Sequence, residues 1–333
     1  MLAAYVLDRT KLRLLWWKVT GSGEPYVWDR NEVIVREAFE SMGPTFIKLG
    51  QVIASSPGLF AQRYTEEFAK CLDQVPPFDG ETLKGIVSSE LGRPIPELFQ
   101  SLEERPLGSA SIAQVHAAVL HDGRRVVVKV QRPGIGEVVD ADLWWMHRGA
   151  SVLEFLFKGA RLINLTGLIE DFSGTIHEEI DFCKEAANLR EFNDIMDAHG
   201  ISDVSAPAPM EGMVTRRVLV MERFKGFKVD DIQGMKEGGL EPEKVLRLGI
   251  RTWLLTVLLH GFFHGDAHAG NVLISAKGSI GFLDFGIIGR FDHQQKHQVL
   301  RYVLAFGARD YGALADILIE IGAVREDVDR EGL

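Results

Sequence analysis

The chain contains the segment Phe263-His264-Gly265-Asp266-Ala267-His268-Ala269-Gly270-Asn271, followed by Phe282-Leu283-Asp284-Phe285-Gly286. Asp266 lies five residues before Asn271, and a second aspartate, Asp284, directly precedes Phe-Gly. Hard cations such as Mg²⁺ take oxygen ligands, which Asn271 and Asp284 can supply. Asp266 can accept a proton from an attacking hydroxyl group or orient that group. These residue types in this order indicate chemistry on a metal-bound phosphate.

The order and spacing match the catalytic loop and the metal-binding segment of kinase-like phosphotransferases. An isolated His-x-Asp or Asp-Phe-Gly triplet would fit a polar loop or an ordinary turn equally well. Occurring together, the two segments favour the phosphotransferase interpretation. We therefore predict that Asp266 is the catalytic carboxylate and that Asn271 and Asp284 bind the metal.

The composition excludes several other classes of protein. The 333 residues are 46% hydrophobic and 25% charged, an ordinary globular balance with room for one large or two medium domains. The net charge of -10 disfavours nonspecific binding of nucleic acid. Two cysteines, Cys71 and Cys183, exclude a disulfide framework, and we interpret both as small apolar packing residues. The N-terminus lacks the pattern of a secretory signal, so we expect a cytoplasmic protein.

Two tryptophan pairs, Trp16-Trp17 and Trp144-Trp145, allow two interpretations. They could contact a membrane interface, with basic residues beside the first pair. They could also pack as aromatic residues within the protein, which is the interpretation we favour. The apolar stretch from Trp253 to Phe263 is too short to span a bilayer and predicts a buried core helix.

Hydrophobic periodicity divides the chain into a helical first part, a β-rich middle and a second helical part. The predicted helices span residues 31–56, 61–72, 81–91, 96–99, 135–157, 165–196 and 242–260. The predicted strands span residues 112–119, 126–130, 218–222, 272–274 and 280–283. Gly50 is the expected weak point of the first helix, which Pro57 should end.

These elements predict an α+β, bilobal protein-kinase-like fold with a helical N-terminal extension and a short helical C-terminal tail. We expect three regions: a helical extension over residues 1–100, an N-lobe with inserted helices over residues 101–222, and a short C-lobe over residues 223–333.

Lys129 lies on the second strand of the predicted hairpin, in Val-Val-Val-Lys. A lysine facing a nucleotide can hold the α- and β-phosphates as a point charge, and it needs an acidic partner to fix its position. Glu185 and Asp181 are candidates because they are four residues apart and share a helix face, whereas Glu179 projects elsewhere. Alone, Lys129 would be equally well explained as a solvated strand lysine.

A phosphate-covering loop is expected ahead of Lys129, where Gly108-Ser109-Ala110-Ser111 lies. This is not a G-x-G-x-x-G loop, and serine and alanine restrict φ where glycine would not, so we expect it to be stiff. Met221-Glu222, at the end of a predicted strand, is the candidate hinge whose backbone would meet the adenine of a nucleotide.

From about Arg36 to about Gly286 the chain resembles the UbiB/aarF-domain (ADCK-type) family of atypical protein-kinase-like proteins. Besides the two downstream motifs, four segments carry this resemblance: Lys48-Leu49-Gly50-Gln51 (KxGQ), Ser111-Ile112-Ala113-Gln114-Val115-His116, Lys129-Val130-Gln131-Arg132-Pro133-Gly134, and Glu179-Ile180-Asp181 (ExD) with Glu185. Aminoglycoside and choline kinases share the downstream motifs but lack the KxGQ and ExD segments.

The resemblance implies further roles for individual residues. Lys129 and Glu185 look like the lysine–glutamate pair of the small lobe. Lys48 and Gln51 are similar to residues of an N-terminal extension that folds over the would-be peptide site, where Glu179 and Asp181 meet them. A cationic lysine near paired carboxylates can act as a regulatory latch.

Three departures from the family pattern bear on these expectations. Gly108 and Ser109 stand where many members have alanines, although Ala110 is retained. Ala269 stands where the family usually has proline. Few residues follow Gly286, whereas family members usually continue through more helices.

The resemblance implies an ATP-binding (or ADP-binding), Mg²⁺-dependent atypical kinase or ATPase that supports isoprenoid-quinone biosynthesis or membrane-lipid handling. The implied partners are a nucleotide, a lipid or quinone precursor, and the inner membrane as a peripheral contact. Two alternatives stay open. One is a nucleotide-gated scaffold that binds lipid or protein with negligible turnover, and the other is a small-molecule kinase of the aminoglycoside or choline type.

Overall fold

The structure, a computed structural model, describes residues 31–56, 60–71, 75–157, 164–265 and 269–321. These residues form two compact units. The first contains the described residues up to Ile180 together with Thr215–Val218, and the second contains Asp181–Val214 and the described residues from Leu219 onward. Helices and sheets occur in both units, which confirms the predicted α+β class. Asp266, Trp16 and Trp17 lie outside the described residues.

The first unit combines helices with one antiparallel sheet. Its helices are α1 (Asn31–Met42), α2 (Pro44–Ala54), α3 (Gln62–Phe68), α4 (Gly80–Leu91), α5 (Ile95–Leu98), α6 (Ile135–Leu156) and α7 (Leu165–Glu179). Its strands are β1 (Ser101–Leu102), β2 (Gly108–Ser109), β3 (Ala113–Val119) and β4 (Arg125–Gln131). The central strand β3 pairs with β1, β2 and β4, so the predicted hairpin of β3 and β4 is present.

The predicted helix over residues 31–56 is two helices, because the chain breaks at Gly43. This glycine has φ 108°, a left-handed backbone that side chains disfavour, and Pro44 then occupies the first turn of α2. Proline has no backbone N–H and is tolerated in that first turn but not inside a helix. The apolar periodicity runs through the break, so the prediction of one continuous helix was wrong.

Gly50 is not a weak point of α2 but a close-packing site. A Cβ atom on Gly50 would lie 2.8 Å from Cδ1 of Phe68 and 3.2 Å from Sγ of Cys71. Phe68 and Cys71 belong to a small core, centred with Ile53, that holds α1, α2 and α3 together. Burial raises the pKa of the Cys71 thiol to about 11, which agrees with its prediction as an apolar packing residue.

The second unit begins with a helix and continues through short strands. Its helices are α8 (Phe182–Ala198), α9 (Ile232–Glu237), α10 (Pro242–Leu255), α11 (His293–Ala308) and α12 (Tyr311–Glu320). Its strands are β5 (Val204–Ser205), β6 (Pro209–Val214), β7 (Val218–Glu222, whose first residue belongs to the first unit), β8 (Phe227–Lys228), β9 (Phe262–His264), β10 (Val272–Ile274), β11 (Ile280–Phe282) and β12 (Ile288–Arg290). A π-helical turn, Thr256–His260, extends α10.

The strands of the second unit place the two downstream motifs on neighbouring elements. One sheet has the order β5-β11-β10-β8, and β9 pairs with β12. β6 pairs with β7. Since β10 follows one motif and β11 precedes the other, their pairing brings the ends of both motifs together.

The helix predicted over residues 165–196 is also interrupted. Asp181 has an extended backbone (φ -108°, ψ 94°), and its side chain accepts a hydrogen bond from the backbone N–H of Cys183, 3.0 Å away. Asp181 is therefore the N-cap of α8 rather than a residue on a helix face shared with Glu185. Aspartate is favoured at N-caps because it satisfies an otherwise unpaired backbone donor.

Several side chains predicted to be buried are exposed. Cys183 lies on the surface, so its interpretation as a packing residue was wrong. Trp144 and Trp145 are both exposed and contact each other edge to face, with ring centroids 4.6 Å apart. Trp253 and Leu259 are exposed as well, so their stretch is not a fully buried helix. Within the described ranges, no helix has the length and hydrophobicity needed to cross a bilayer.

Candidate functional site

Lys129 occupies a buried position in the middle of β4. It lies opposite Val115 of β3, between Val128 and Val130, which are fully buried. Only 9% of Lys129 is exposed. A buried ammonium group is costly unless negative groups compensate it, so this position is suited to an interaction with carboxylate or phosphate oxygens.

Hydrogen bonds from the Arg132 side chain hold the loop Gly108–Ser111 in place. The guanidinium group of Arg132 donates to the carbonyl oxygen of Ala110 over 2.8 Å and to the hydroxyl of Ser109 over 2.8 Å. It also donates to the carbonyl oxygens of Val75 and Pro76, over 3.1 and 3.0 Å. Arg132 uses its planar fork of donors to tie the loop to a preceding segment, which gives a physical cause for the predicted stiffness.

The residues of this loop differ in what their side chains do. The Ser109 hydroxyl donates to the carbonyl oxygen of Val75 over 2.7 Å, so it is part of the same network. Gly108 pairs with Val115, and a Cβ atom there would meet no atom within 4 Å. Position 108 therefore has room for a larger side chain than that of glycine, whereas the Ser109 hydroxyl is needed for its hydrogen bond to Val75.

Lys48 of α2 forms an ion pair with Glu179, the last residue of α7. Both side chains are largely shielded from solvent, with 14% and 13% exposed. Gln51 follows one turn later on α2 and is half-buried. The resemblance implies that these two residues meet, and the structure shows this ion pair. The pair joins the KxGQ helix to the ExD segment within the first unit.

Gln131, two residues after Lys129, also holds the end of α7 in place. Its buried side-chain amide donates to the carbonyl oxygen of Ile180 and, over 2.8 Å, to that of Arg216. Glu179 therefore lies next to a backbone group that the strand of Lys129 holds in place. Residues of two separate motifs are linked in this way through the backbone.

In the second unit, the hairpin of β10 and β11 brings Asn271 and Asp284 close together. Val272 pairs with Phe282, and the backbone N–H of Leu283 donates to the carbonyl oxygen of Asn271 over 2.9 Å. Asp284 is the next residue after Leu283. Its Oδ1 atom accepts a hydrogen bond from the N–H of Gly286 over 3.0 Å, which orients the carboxylate.

Phe285, directly after Asp284, is anchored in an aromatic cluster. It is fully buried, and its ring centroid lies 5.0 Å from that of Phe192 and 5.1 Å from that of His264. Asn188 donates from its side-chain amide to the carbonyl oxygen of Phe285 over 2.9 Å and accepts from Arg290 over 2.8 Å. The position of Asp284 is thus determined by packing and by a hydrogen bond from α8.

Glu185 lies in the first turn of α8 and is 99% buried, with 1% of its surface exposed. A carboxylate near a helix N-terminus is favoured by the helix dipole, although full burial requires further compensation. Asn188 lies three residues later on the same helix. One helix therefore carries the predicted acidic partner of a lysine and the side chain that holds Phe285.

Met221 and Glu222, the candidate hinge residues, end β7. Met221 is buried and pairs with Pro209 of β6. The backbone N–H of Glu222 donates to the carbonyl oxygen of Ala208 over 3.0 Å. Because this donor already has a protein partner, Glu222 would contact an adenine through its carbonyl oxygen rather than through its N–H.

The donor set of Asn271 and Asp284 fits a magnesium ion bound together with phosphate. An amide and a carboxylate supply hard oxygen ligands, and Mg²⁺ is commonly held by one or two such protein groups plus water and substrate phosphates. Among the residues that the structure describes, no group of three or more histidine, cysteine, aspartate or glutamate side chains could hold a metal.

Sequence reasoning assigned no role to Arg132, Gln131 or Asn188. The first two lie in the Lys129-to-Gly134 segment, so their position beside Lys129 could have drawn attention to them. Asn188 has no such signal, because a single asparagine inside a helix is not part of a recognisable motif. Asp266 lies outside the described residues, and its role stays a prediction.

Comparison with known proteins gives concordant matches. The family described as ABC1 atypical kinase-like domain matches residues 70–318. An uncharacterized, chloroplastic aarF domain-containing protein kinase of Arabidopsis thaliana is 38% identical over 297 residues, which cover 89% of this chain and 55% of that protein. An uncharacterized protein of Mycobacterium tuberculosis is 38% identical over 290 residues, which cover 86% of this chain and 59% of that protein.

Among solved structures, Rv3197 of Mycobacterium tuberculosis, determined in complex with erythromycin, matches with a TM-score of 0.59 and 24% identity. The match covers 97% of this chain and 77% of that one, and it shows a shared fold. The chain spans 55% and 59% of the lengths of the two curated relatives.

Proposed function

Because the chain belongs to the ABC1 atypical kinase-like family, we propose that it binds ATP together with Mg²⁺ and acts as an atypical kinase or ATPase. The observation that carries this proposal is the hairpin of β10 and β11, at whose end the carbonyl oxygen of Asn271 accepts from the N–H of Leu283, the residue before Asp284. Buried Lys129 and buried Glu185 support it, because charged side chains are rarely buried without a charged partner or ligand.

Each of these residues has a proposed task. Asn271 and Asp284 would hold the metal ion, which neutralises phosphate charge when bound. Lys129 would bind the phosphates as a point charge, with Glu185 keeping its ammonium group in place. Asp266 would orient the attacking hydroxyl group or water and accept its proton, a contribution of about 10²- to 10⁴-fold in rate.

We propose that the phosphoryl acceptor is a small molecule or lipid, or water, rather than a protein. The support is the shielded ion pair of Lys48 and Glu179, which fastens the N-terminal helices within the first unit. The family resemblance implies that an extension held by these residues folds over the would-be peptide site, which would leave no room for a protein acceptor. A role in isoprenoid-quinone biosynthesis or membrane-lipid handling is proposed from the family resemblance.

The test is nucleotide binding and turnover by the parent chain and three variants. A thermal-shift measurement with ATP or ADP, with Mg²⁺ or with EDTA, reports binding because a ligand of the folded state raises its apparent stability. Asp284→Asn should lose the Mg²⁺-dependent shift. Asp266→Asn should keep that shift and lose phosphate release. Asp230→Asn, an exposed control in the second unit, should behave like the parent chain. Parental hydrolysis by both site variants would refute the assignment.

One alternative has a specific observation in its favour. The Arg132 network stiffens the loop Gly108–Ser111, and a stiff loop suits a protein that retains nucleotide rather than turning it over. On this nucleotide-gated scaffold model, parent and Asp266→Asn would release phosphate at the same background rate while both bind Mg·ATP. A kinase of the aminoglycoside or choline type would instead be stimulated by those acceptors, and it leaves the Lys48–Glu179 contact without a role.

A further inference from the structure

Two histidines that neither downstream motif includes meet at the surface of the second unit. Nε2 of His199 lies 2.9 Å from Nε2 of His260, and the two ring planes are almost perpendicular, at 87°. A neutral imidazole carries its hydrogen on one of its two nitrogens, so one Nε2 donates and the other accepts. We call these two side chains the histidine dyad. Both are exposed, which gives a ligand direct access from solvent.

Both members of the histidine dyad occupy backbone positions that hydrogen bonds hold in place. His199 is the C-cap of α8, and its N–H donates to the carbonyl oxygen of Met196 over 3.2 Å. His260 ends the π-helical turn that extends α10. Gly261, which follows, has φ 67°, and its carbonyl oxygen accepts from the N–H of Phe291 over 2.7 Å. The two rings are therefore brought together by two separate elements whose ends are well fixed.

The electrostatic surroundings of the histidine dyad favour a bound cation. His199 lies at the C-terminal end of α8, and His260 lies at the end of α10 with its π-helical turn. The last carbonyl groups of a helix give its C-terminus a partial negative charge, which stabilises cations. Burial, His199 and Lys296 lower the pKa of the His260 imidazole below its ordinary value of 6.5. This ring is therefore neutral at pH 7.5, and neutral imidazole is the form that binds metal.

Two charged side chains of opposite sign lie near His260, and neither is a ligand candidate. Glu191 acts on His260 against the effect of Lys296, but its carboxylate is paired with Arg290 over 2.6 Å. Lys296 donates to the carbonyl oxygen of Leu259 over 3.5 Å. In the part of the chain that the structure describes, no third histidine, cysteine or acid completes a metal-binding group. Two protein nitrogens are thus what the dyad offers an ion, and water supplies the other ligands.

The two nitrogen donors select a class of metal ion. Imidazole suits Zn²⁺, Cu²⁺ and Ni²⁺, whereas Mg²⁺ takes oxygen ligands. Zn–N distances of about 2.0–2.1 Å in a tetrahedral site separate two imidazole nitrogens by about 3.3 Å. The two Nε2 atoms, 2.9 Å apart, need to move apart by only about 0.4 Å to reach this separation. Small rotations of the exposed rings provide that movement.

We propose that the histidine dyad binds a divalent transition-metal ion, Zn²⁺ above all, through Nε2 of His199 and Nε2 of His260. The hydrogen between the rings moves through solvent to the Nδ1 atom of its own ring, so both imidazoles stay neutral and both Nε2 lone pairs face the ion. Binding fastens the C-terminal end of α8 to the turn that precedes β9. The site uses neither Asn271 nor Asp284 and is separate from the proposed nucleotide chemistry.

The test is titration of the full chain with ZnCl₂ in the absence of nucleotide, at pH 7.5, by isothermal titration calorimetry and by thermal unfolding. The parent chain should bind one equivalent of Zn²⁺ and unfold at a higher temperature with it. His199→Gln and His260→Gln should each weaken binding by about tenfold or more, because one of the two protein ligands is lost. Cu²⁺ bound in place of Zn²⁺ should show hyperfine coupling to two imidazole nitrogens in electron paramagnetic resonance.

A stringent control removes two other exposed histidines of the second unit, His293 and His297 of α11. Their spacing of four residues also presents two imidazoles on one helix face. His293→Gln combined with His297→Gln should keep the tight Zn²⁺ site. Asp284→Asn should keep it as well, which separates the dyad from the proposed nucleotide site.

Three outcomes overturn the proposal. In the first, the parent chain binds no Zn²⁺ or shows no stabilisation by it. In the second, His199→Gln with His260→Gln and the control double variant weaken binding equally, which would mean adventitious binding to surface histidines only. In the third, Asp284→Asn loses the site. Circular dichroism and thermal unfolding without metal verify that each variant is folded.

Discussion

Asn188 donates its side-chain amide to the backbone carbonyl oxygen of Phe285, a residue 97 positions further along the chain, over 2.9 Å. This bond links the helix that carries Glu185 to the segment that carries Asp284. Since Asn188 also accepts from Arg290, its buried side chain uses donor and acceptor groups together. We infer that it positions the proposed metal-binding segment without being a metal ligand itself.

Replacing Asn188 by alanine should affect both stability and metal binding. Loss of the amide leaves a buried carbonyl group without its donor, which should cost about 1–3 kcal/mol of unfolding free energy. The dissociation constant of Mg·ATP should rise because Asp284 is less well oriented. Urea unfolding and isothermal titration calorimetry measure the two effects.

Asn193 provides the matched control on the same helix. It exchanges two hydrogen bonds with the backbone of Ala206, over 2.8 and 3.0 Å. Asn193→Ala should therefore lower stability by a similar amount and leave the Mg·ATP dissociation constant unchanged. Equal effects of both variants on nucleotide binding would contradict a positioning role for Asn188.

The Arg132 network should determine how the loop Gly108–Ser111 responds to substitution. Arg132→Met removes four hydrogen bonds to the loop and the segment before it, and we expect a loss of about 2–3 kcal/mol, since several donors are lost together. Ser109→Ala should cost about 1 kcal/mol. Gly108→Ala, whose Cβ would meet no atom within 4 Å, should be neutral.

Proteolysis of the loop provides a second measurement for these three variants. Arg132→Met should be cleaved faster than the parent chain near residues 108–111, and Gly108→Ala should not. If Arg132→Met were cleaved at the parental rate, the loop would owe its stiffness to something other than this network.

The shielded ion pair of Lys48 and Glu179 should behave differently from exposed ones. With 14% and 13% of the two side chains exposed, removing one partner leaves a charge in a largely dry site. Lys48→Met or Glu179→Leu alone should each cost about 3 kcal/mol, whereas the double replacement should cost much less than their sum. A double-mutant cycle by urea unfolding measures this coupling.

The exposed pair of Lys244 and Glu241 is the comparison, with 74% and 66% of the side chains exposed. Its coupling should not exceed about 1 kcal/mol because water screens the charges. Additive costs for Lys48 and Glu179 would show that their contact contributes little to the folded state.

Gly50→Ala should destabilise the protein although alanine favours helices. The new methyl group would lie 2.8 Å from the ring of Phe68, which is 1% exposed and cannot move aside. Overpacking should outweigh the gain in helix propensity, for a net loss of about 1–2 kcal/mol. Gly85→Ala, in the interior of α4 with no atom within 4 Å, should instead gain about 0.5–1 kcal/mol. Thermal unfolding of both variants should give shifts of opposite sign.

Stability should decrease in mild acid because of His116. This histidine is fully buried on β3, and burial lowers the pKa of its imidazole below the ordinary value of 6.5. The folded state therefore binds fewer protons than the unfolded state. Its stabilising contribution is complete above about pH 6.5 and is lost as the pH falls from there through the lower pKa of the folded state.

Urea unfolding between pH 5 and pH 7.5 tests this expectation. His116→Gln should show a smaller decrease in stability toward pH 5 than the parent chain. His121→Gln, at an exposed turn position, is the control and should follow the parent chain. A parental pH dependence in His116→Gln would assign the acid sensitivity to other groups.

Much of the local structure could be predicted from residue patterns. The hairpin around Lys129 and the strands after Asn271 and before Asp284 were confirmed because β-branched runs and turn residues mark them directly. The breaks at Gly43 and Asp181 were missed, since the apolar period continues across each of them. At Gly43 the following proline was a sufficient signal, and at Asp181 the capping aspartate was a weaker one.

Exposure was harder to predict than secondary structure. Apolar spacing shows that Trp144 and Phe155 share one side of a helix, but it does not show whether another element covers that side. Trp253 was assigned to the interior from the apolar character of its stretch, and Cys183 from its residue type, yet both lie on the surface. Coverage depends on the path of the whole chain, which no window of neighbouring residues contains.

The order of residue types along the chain was enough to predict a kinase-like site, and the family match agrees with that prediction. A lysine on a strand, an aspartate and an asparagine five residues apart, and an aspartate before Phe-Gly are local features. The capacity of ammonium, carboxylate and amide groups to bind phosphate or metal follows from their own atoms. The tertiary structure alone revealed the hydrogen bonds that hold the surrounding segments in place. Asn188 donates to the backbone of Phe285, Arg132 to the backbone of Ala110, and Gln131 to the backbone of Ile180. Such partners are distant in sequence and follow no period. Only folding brings a donor and its acceptor within hydrogen-bonding distance.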